Sequence, residues 1–193
     1  MHAFWRNPDP VNRPEAYSVP VERSEFLVDL LARHGTSGGR VLEIGPNVGR
    51  NLEALRLAGY HRLEGIEISE HAVAAMRETY PLLAAIATIY NAPVEDVIGT
   101  LPDASFDIVF TMAVLEHLHP DSEWVFAEMV RVCRGVIVTI EDEAGKSRHH
   151  VPRHYKVVFE SLGLLQIEES DPAGVGELGP TFRARVFSRT PVV

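Results

Sequence analysis

The stretch that decides the fold is Arg40-Val-Leu-Glu-Ile-Gly-Pro-Asn-Val-Gly-Arg-Asn51. Its first five residues form a short, largely apolar run, which predicts a buried β-strand that ends at Gly45. From Asn51 to Ala58 apolar residues recur at helical spacing, and Gly59 ends the predicted helix. Gly45 and Gly49 let the backbone turn tightly and approach a ligand without interference from a Cβ atom. The stretch therefore predicts a strand, a ligand-binding loop and a helix.

Strand-like and helix-like segments alternate around this stretch. Helices are predicted at Val21–His34, Ser69–Tyr80, Asp121–Arg134 and Arg153–Leu162, with Ser69 as an N-cap and Gly163 as a left-handed C-cap. Strands are predicted at Leu63–Ile68, Ile86–Tyr90, Phe106–Met112, Val136–Ile140, Leu164–Ser170 and Thr181–Thr190. The alternation indicates βαβ crossovers, and so an α/β, doubly wound, Rossmann-like fold in three α/β/α layers. We expect a seven-stranded, mostly parallel sheet whose last two strands form an antiparallel hairpin at one edge.

The 193 residues fit one domain, which we place at residues 21–193 behind an amino-terminal arm at residues 1–20. Four prolines in the arm argue against a regular element there. The aromatic residues Phe4, Trp5 and Tyr17 predict an arm that packs over a ligand, and a loose leader is the alternative.

The amino-acid composition indicates which binding partners and which cellular compartment to expect. The 27 acidic against 18 basic side chains argue against nucleic acid as a partner. No apolar run approaches the ~20 residues of a membrane span, and the first residues lack the apolar stretch of a secretory signal. A single cysteine, Cys133, cannot form an internal disulfide, so we expect a cytoplasmic protein. The sequence leaves the oligomeric state open.

The carboxylate of Glu67 ends the next predicted strand, where it can accept both hydroxyls of a ribose. A dinucleotide-binding loop would have glycines at positions 45, 47 and 50, whereas this chain has Asn47 and Arg50. The pattern Glu43, Gly45, Asn47 and Gly49 instead resembles the first motif of the class I S-adenosylmethionine-dependent methyltransferases, with Asn47 in place of the middle glycine. The resemblance implies S-adenosyl-L-methionine as the cofactor.

Further segments resemble the later motifs of that family, in order, and Val114-Leu-Glu-His-Leu118 is similar to its small UbiE/type-11-like branch. The resemblance implies that Glu67 binds the ribose, Ile68 packs on the adenine, Asn91 and Ala92 read the adenine edge, and Thr111 and Met112 lie beside the methionine part. Tyr17 and Arg23 are in a segment similar to the entry of related small methyltransferases. This implies that Arg23 pairs the cofactor carboxylate and Tyr17 caps the pocket. A surface arginine and a packing tyrosine are the alternatives.

His117 and His150 are the candidate catalytic residues. His117 follows the fourth predicted strand, near the expected position of the reactive methyl group, so it is a candidate general base or pocket wall. The alternative is a loop histidine that hydrogen-bonds to backbone.

The segment from Glu141 to His154 admits three interpretations. His150 or His154 can act in acid–base chemistry, or Glu141, Asp142, Glu143 and the histidines can bind a divalent metal. In the third interpretation the segment is a solvated loop in which Lys146, Arg148 and Arg153 pair the carboxylates. We assign no residue to a metal.

The sequence as a whole predicts an enzyme that transfers a methyl group to an oxygen or nitrogen atom of a small-molecule acceptor. The alternatives are an NAD(P)-dependent reductase, which Asn47 and Arg50 argue against, and a non-catalytic module that binds S-adenosylmethionine.

Overall fold

A seven-stranded sheet forms the centre of the protein, whose computed structural model describes residues 2–6, 21–34, 38–146 and 149–189. The strands are β1 (Arg40–Ile44), β2 (Arg62–Ile66), β3 (Thr88–Tyr90), β4 (Phe106–Met112), β5 (Cys133–Asp142), β6 (Leu165–Ser170) and β7 (Phe182–Ser188). Their order in the sheet is β3-β2-β1-β4-β5-β7-β6. Strands β1 to β5 pair in parallel, and β7 is antiparallel to both of its neighbours. The strand order reverses between β1 and β4, and ligands bind at such a point in open α/β sheets.

Helices cover both faces of the sheet, which confirms the predicted three layers. They are α1 (His2–Arg6), α2 (Val21–His34), α3 (Arg50–Leu57), α4 (Glu70–Thr79), α5 (Pro81–Ala84), α6 (Val94–Val97), α7 (Trp124–Val132) and α8 (Tyr155–Ser161). Short 3₁₀ turns lie at Ile98–Thr100, Leu115–His117, Pro120–Ser122 and Val175–Glu177. One buried cluster packs α6, α7 and α8 on the sheet, and a second packs α2, α3, α4 and α5 on the opposite face. No helix among the described ranges is long and apolar enough to cross a membrane.

β4 shows why the sheet is buried on both sides. Val109 joins the first cluster, whereas its neighbours Ile108 and Phe110 join the second, because successive side chains of a strand point to opposite faces. All three are fully buried. A run of apolar residues therefore marks this strand, as expected for a parallel sheet covered by helices.

The predicted bounds of α7 and β5 differ from the observed ones. The predicted helix at Asp121–Arg134 ends at Val132, and β5 begins at Cys133 instead of Val136. Cys133 is already extended and pairs with Phe106, and a Cβ atom at Gly135 would lie 2.1 Å from the Asp107 carbonyl oxygen. The close approach of these two strands thus starts β5 early.

The amino-terminal arm contains a helix where we predicted no regular element. α1 ends at Arg6, before the first proline at Pro8, so the ring constraint of proline does not act on it. Residues 7–20 lie outside the described residues, and the division into an arm and a domain remains a prediction.

Candidate functional site

A cavity of about 680 Å³ opens at the carboxyl ends of β1, β2, β3 and β4. Loops after these four strands supply Gly45, Glu67, Ala92 and Glu116 to its lining. Helix α1 lies over the same cavity through Phe4 and other side chains. Its size is within the range of pockets that bind small molecules and cofactors.

The loop after β1 is held in a conformation that needs positive φ angles. Gly45 has φ 73°, and a Cβ atom on it would lie 2.5 Å from Val114 Cγ2. Asn47 has φ 51°, a region that asparagine tolerates better than most residues, which explains how it replaces a glycine here. The Asn47 side chain lines the cavity, and its Oδ1 is buried without a hydrogen-bond partner. Gly49 turns the chain into α3 and is not in the described cavity lining, and a Cβ atom on it would lie 2.8 Å from Met76 Cγ and 3.0 Å from Leu83 Cδ2.

The Glu67 carboxylate is fixed by backbone donors from two loops. The Asn47 N–H donates to Oε2 and the Ser69 N–H donates to Oε1, each at 2.8 Å. Burial raises the pKa of Glu67, and these backbone hydrogen bonds oppose the rise. Each oxygen keeps a lone pair for a further donor, so the group can still accept two hydroxyls.

The other predicted adenine and ribose residues separate into two groups. Ile68 and Ala92 line the cavity. Asn91 has an exposed side chain that donates to the Glu67 carbonyl oxygen at 2.8 Å. Asn91 thus braces the loop that carries Glu67, and the structure does not place it in the described cavity lining.

Glu43 lies beneath the loop in a buried polar network. Its Oε1 accepts from Asn51 Nδ2 at 2.8 Å, and Asn51 Oδ1 accepts from Ser24 Oγ at 2.8 Å. Burial raises the pKa of Glu43 to about 8, although the Asn51 hydrogen bond and the charge of Arg50 lower it. Glu43 therefore orders α3 and α2 below the cavity and is not among its described lining.

Two guanidinium groups mark one end of the cavity. Arg23 lines it and donates to the Gly176 carbonyl oxygen. Arg50 also lines it, with Nε donating to Ser24 Oγ at 2.9 Å and Nη2 lying 3.6 Å from Met112 Sδ. Sequence reasoning found Arg23 but treated Arg50 only as a departure from a glycine pattern. Tyr17, which was predicted to cap the pocket, lies outside the described residues.

Thr111 and Met112, at the end of β4, point to different sides. Met112 lines the cavity, whereas Thr111 is fully buried and is not in the described lining. The Thr111 hydroxyl faces Glu141, where it lowers the pKa of that carboxyl against the larger effect of burial.

Glu141 is fully buried, so the interpretation of the segment as a solvated loop does not hold for this residue. Its Oε2 accepts from the backbone N–H groups of Val114 and Leu115 at 2.9 and 3.0 Å, which holds the turn after β4. Burial raises its pKa to about 7. Glu116 lies beside it and lines the cavity, and burial together with the charge of Glu141 raises the pKa of Glu116 to about 9.

The same interpretation, in which the cations of this segment pair with its carboxylates, does not hold for Glu143 or Arg153. Glu143 pairs with Arg185 at 2.7 and 2.8 Å. Arg153 pairs with Glu123 at 3.0 Å and donates to the carbonyl oxygens of Leu115 and Leu118. Arg148 lies outside the described residues. Nowhere in residues 2–6, 21–34, 38–146 and 149–189 do three or more His, Cys, Asp or Glu side chains meet as a metal site would require.

The histidines after β4 and β5 meet under α1. His117 Nδ1 is 2.9 Å from the His149 carbonyl oxygen, and the Trp5 and His117 ring centroids are 4.5 Å apart. Phe4 stacks on the His149 ring at 4.4 Å. Burial lowers the pKa of His117.

Neither His150 nor His154 is in the described lining of the cavity. The His150 ring lies 6.2 Å from that of His117, and its neighbour His149 is the one in the described cavity lining. His154 is exposed before α8.

Comparison with known proteins gives one family and many related folds. Residues 42–136 match the family model described as a methyltransferase domain. The fold is similar to that of an S-adenosylmethionine-dependent methyltransferase from Mesorhizobium loti, with a TM-score of 0.68 and 15% identity over 86% of this chain and 98% of that chain.

Two further solved structures bear on the site. A magnesium protoporphyrin IX methyltransferase from Synechocystis, solved with S-adenosylhomocysteine bound, has a TM-score of 0.70 and 15% identity over 88% of this chain and 83% of that chain. A [4+2]-cyclase has a TM-score of 0.69 and 18% identity over 88% of this chain and 81% of that chain. At these identities the likenesses establish the fold alone, and the cyclase shows that one fold serves more than one reaction.

Proposed function

We infer that this chain is a class I S-adenosylmethionine-dependent methyltransferase, since residues 42–136 match a methyltransferase domain, and we propose that it methylates an oxygen or nitrogen atom of a small-molecule acceptor. The family match sets aside the NAD(P)-dependent reductase. The UbiE-like branch remains a prediction.

The cavity fits the cofactor, which supplies a methyl group on a sulfonium sulfur when it is bound. We assign the ribose to Glu67, whose oxygens are already oriented by Asn47 and Ser69. Ile68 and Ala92 offer apolar contacts for the adenine. The buried, unpartnered Oδ1 of Asn47 is a further acceptor atom for this ligand.

The opposite end of the cavity suits the amino-acid part of the cofactor. Arg23 and Arg50 present guanidinium groups there, and such groups bind carboxylates bidentately. Met112 lies between this end and the turn after β4. Glu43 supports the assignment indirectly, because it fixes Asn51 and with it the start of α3.

One observation carries the assignment of a small acceptor. Helix α1 packs Phe4 on His149 and Trp5 on His117, so α1 covers the acceptor side of the cavity. Its His2 pairs with Glu95 at 3.0 Å on the side of β3, so the same helix bridges the cavity. A macromolecular acceptor would need an open groove at this point, whereas a small molecule fits beneath α1.

His117 is the proposed general base. Because a carbonyl oxygen can only accept, the contact with His149 assigns the proton to Nδ1 and leaves the lone pair on Nε2. Burial keeps the imidazole neutral at neutral pH, as a base must be. The protein also has to hold the reacting atoms about 3–3.5 Å apart and in line. The ring of His150, the second candidate, lies 6.2 Å from that of His117 and outside the described cavity lining, so we assign it no direct contact with the acceptor.

Two measurements test the proposed function. Calorimetry is expected to show binding of S-adenosylmethionine and S-adenosylhomocysteine but not of NADPH. A panel of small amines, phenols and alcohols, incubated with S-adenosylmethionine and analysed by mass spectrometry, is expected to give a methylated product. Cofactor binding without product from any acceptor would support the non-catalytic module, and binding of NADPH alone would refute the proposal.

A further inference from the structure

The carboxyl group of Glu116 lies on the acceptor side of the cavity. Glu116 is 5% exposed. It lies in the 3₁₀ turn Leu115–His117 that follows β4, and His117 is the next residue. Its Oε2 accepts from the Asp142 N–H, and its Oε1 is 3.5 Å from His117 Nε2. The carboxyl group is therefore fixed beside the nitrogen that we propose as the base.

Charges are distributed unequally along the cavity. The guanidinium groups of its described lining, Arg23 and Arg50, are both at the end near Met112. On the acceptor side the described lining has the Glu116 carboxyl group and the ring of Trp5. Without ligand, burial and the charge of Glu141 favour the protonated form of Glu116, and an ammonium group beside it favours the carboxylate, so binding of the ammonium displaces this proton. The carboxylate and the aromatic face then attract the ammonium group together.

The movement of charge during methyl transfer distinguishes between acceptors. When a neutral amine is methylated, the positive charge of the sulfonium passes to the nitrogen. A carboxylate beside that nitrogen stabilises the charge that develops in the transition state. When the acceptor is a phenolate or a carboxylate, the same group repels it and disfavours its ionised, reactive form.

Resting on the proposed function, we propose that the acceptor is a primary or secondary amine that Glu116 binds in its ammonium form, against the ring of Trp5. His117 Nε2 removes one proton from the ammonium. The nitrogen lone pair then forms the bond to the methyl carbon, the carbon–sulfur bond breaks, and its electron pair stays on sulfur. The products are a methylated ammonium, S-adenosylhomocysteine and one proton, which leaves from His117.

The first experiment compares acceptor classes at equal concentration. The amines of the panel are expected to give methylated product, while the phenols, alcohols and carboxylic acids give none or far less. Methylation confined to phenols, alcohols or carboxylic acids would overturn the amine assignment and leave the proposed function intact. No methylation in any class would contradict the proposed function itself.

The second experiment separates recognition from folding by comparing isosteric glutamine variants of two buried glutamates. With the best amine, Glu116→Gln is expected to raise KM about tenfold or more, because the charge-assisted hydrogen bond is lost. Glu64→Gln is the matched control, since Glu64 is also buried, at 8% exposed, but pairs with Arg40 and is not in the described lining. It is expected to change KM about twofold at most.

A binding readout accompanies these rates. Calorimetric titration of the same amine into the complex with S-adenosylhomocysteine is expected to show weaker binding for Glu116→Gln, with the affinity for S-adenosylhomocysteine unchanged. Equal losses in both variants, or unchanged amine binding in Glu116→Gln, would refute the role of Glu116.

Discussion

At the scale of single residues, the site depends on side chains that are held by some of their atoms and leave others available. Glu67 is fixed by two backbone N–H groups and keeps lone pairs for a ligand. His117 is fixed through Nδ1 and keeps Nε2. In both cases the ordering is complete before a ligand binds, which reduces the entropic cost of binding.

The Glu67→Gln variant is expected to bind S-adenosylhomocysteine about 10- to 100-fold more weakly, because hydrogen bonds to a charged group contribute about 1.5–3 kcal/mol. Calorimetry measures the loss. Glu70→Gln is the control, since Glu70 is an exposed acid three positions away in α4. Full affinity in Glu67→Gln would refute the ribose assignment.

The pH dependence of the reaction is expected to reflect His117. Burial lowers its pKa from the ordinary value of 6.5, and the base must be neutral, so kcat/KM stays high as the pH falls through 6.5 and drops only below it. His117→Ala is expected to lower kcat about 10²- to 10⁴-fold and to abolish this acidic limb, with cofactor affinity intact. His61→Ala, which changes an exposed histidine, is the control. If the fall of kcat/KM at acidic pH persists in His117→Ala, another group causes it and the prediction is contradicted.

At the scale of elements, the turn that carries Glu116 and His117 is clamped from the segment before α8. Arg153 donates to the carbonyl oxygens of Leu115 at 3.0 Å and Leu118 at 2.9 Å. The Val151 N–H donates to the Glu116 carbonyl oxygen at 2.7 Å. The acceptor side is thus positioned by hydrogen bonds between two loops, with Arg153 as a positioning residue.

Arg153→Lys is expected to lower kcat about tenfold and leave the affinity for S-adenosylhomocysteine unchanged, because lysine cannot span both carbonyl groups and the turn loosens. Arg131→Lys is the matched control. Arg131 also donates to two carbonyl oxygens, those of Leu101 and Ile98, but it lies outside the described cavity lining. If both variants lose stability by similar amounts in urea unfolding but only Arg153→Lys loses kcat, the positioning role is supported. Equal losses of kcat would contradict it.

At the scale of the whole molecule, buried acids tie stability to pH. Burial raises the pKa of Glu141 to about 7, of Glu43 to about 8 and of Glu116 to about 9, all above the ordinary value of 4.5. The folded protein therefore holds protons that the unfolded chain has already released. Stability from these groups is fully present below pH 4.5 and is lost as the pH rises through the folded values.

The free energy of unfolding is accordingly expected to fall by about 2 kcal/mol or more between about pH 6.5 and 9, measured by urea unfolding without ligand. Starting near pH 6.5 limits the opposite contribution of His117, whose lowered pKa destabilises the fold in acid. Glu43→Gln is expected to flatten the decline, and Glu70→Gln is expected to leave it unchanged. A free energy that rises over this range would contradict the burial of these carboxyl groups.

Much of the fold could be predicted because its signals are local. The apolar run in β4 and the helical spacing in α2 depend on residues a few positions apart, and Phe106–Met112 and Val21–His34 were predicted with the observed bounds. The limits of α7 and β5 could not be predicted, because Cys133 becomes extended only through its pairing with Phe106 on another strand.

The sequence by itself determined the sheet and the loop with Gly45 and Asn47, because periodicity and backbone freedom are properties of neighbouring residues. Only the tertiary structure decided which polar groups face the cavity. It brings Arg50 to Ser24 and Met112, buries Glu116 beside Glu141, and presents His149 instead of His150. These outcomes depend on contacts between segments distant in the chain. The physical reason is that burial and charge proximity arise only when such segments pack together.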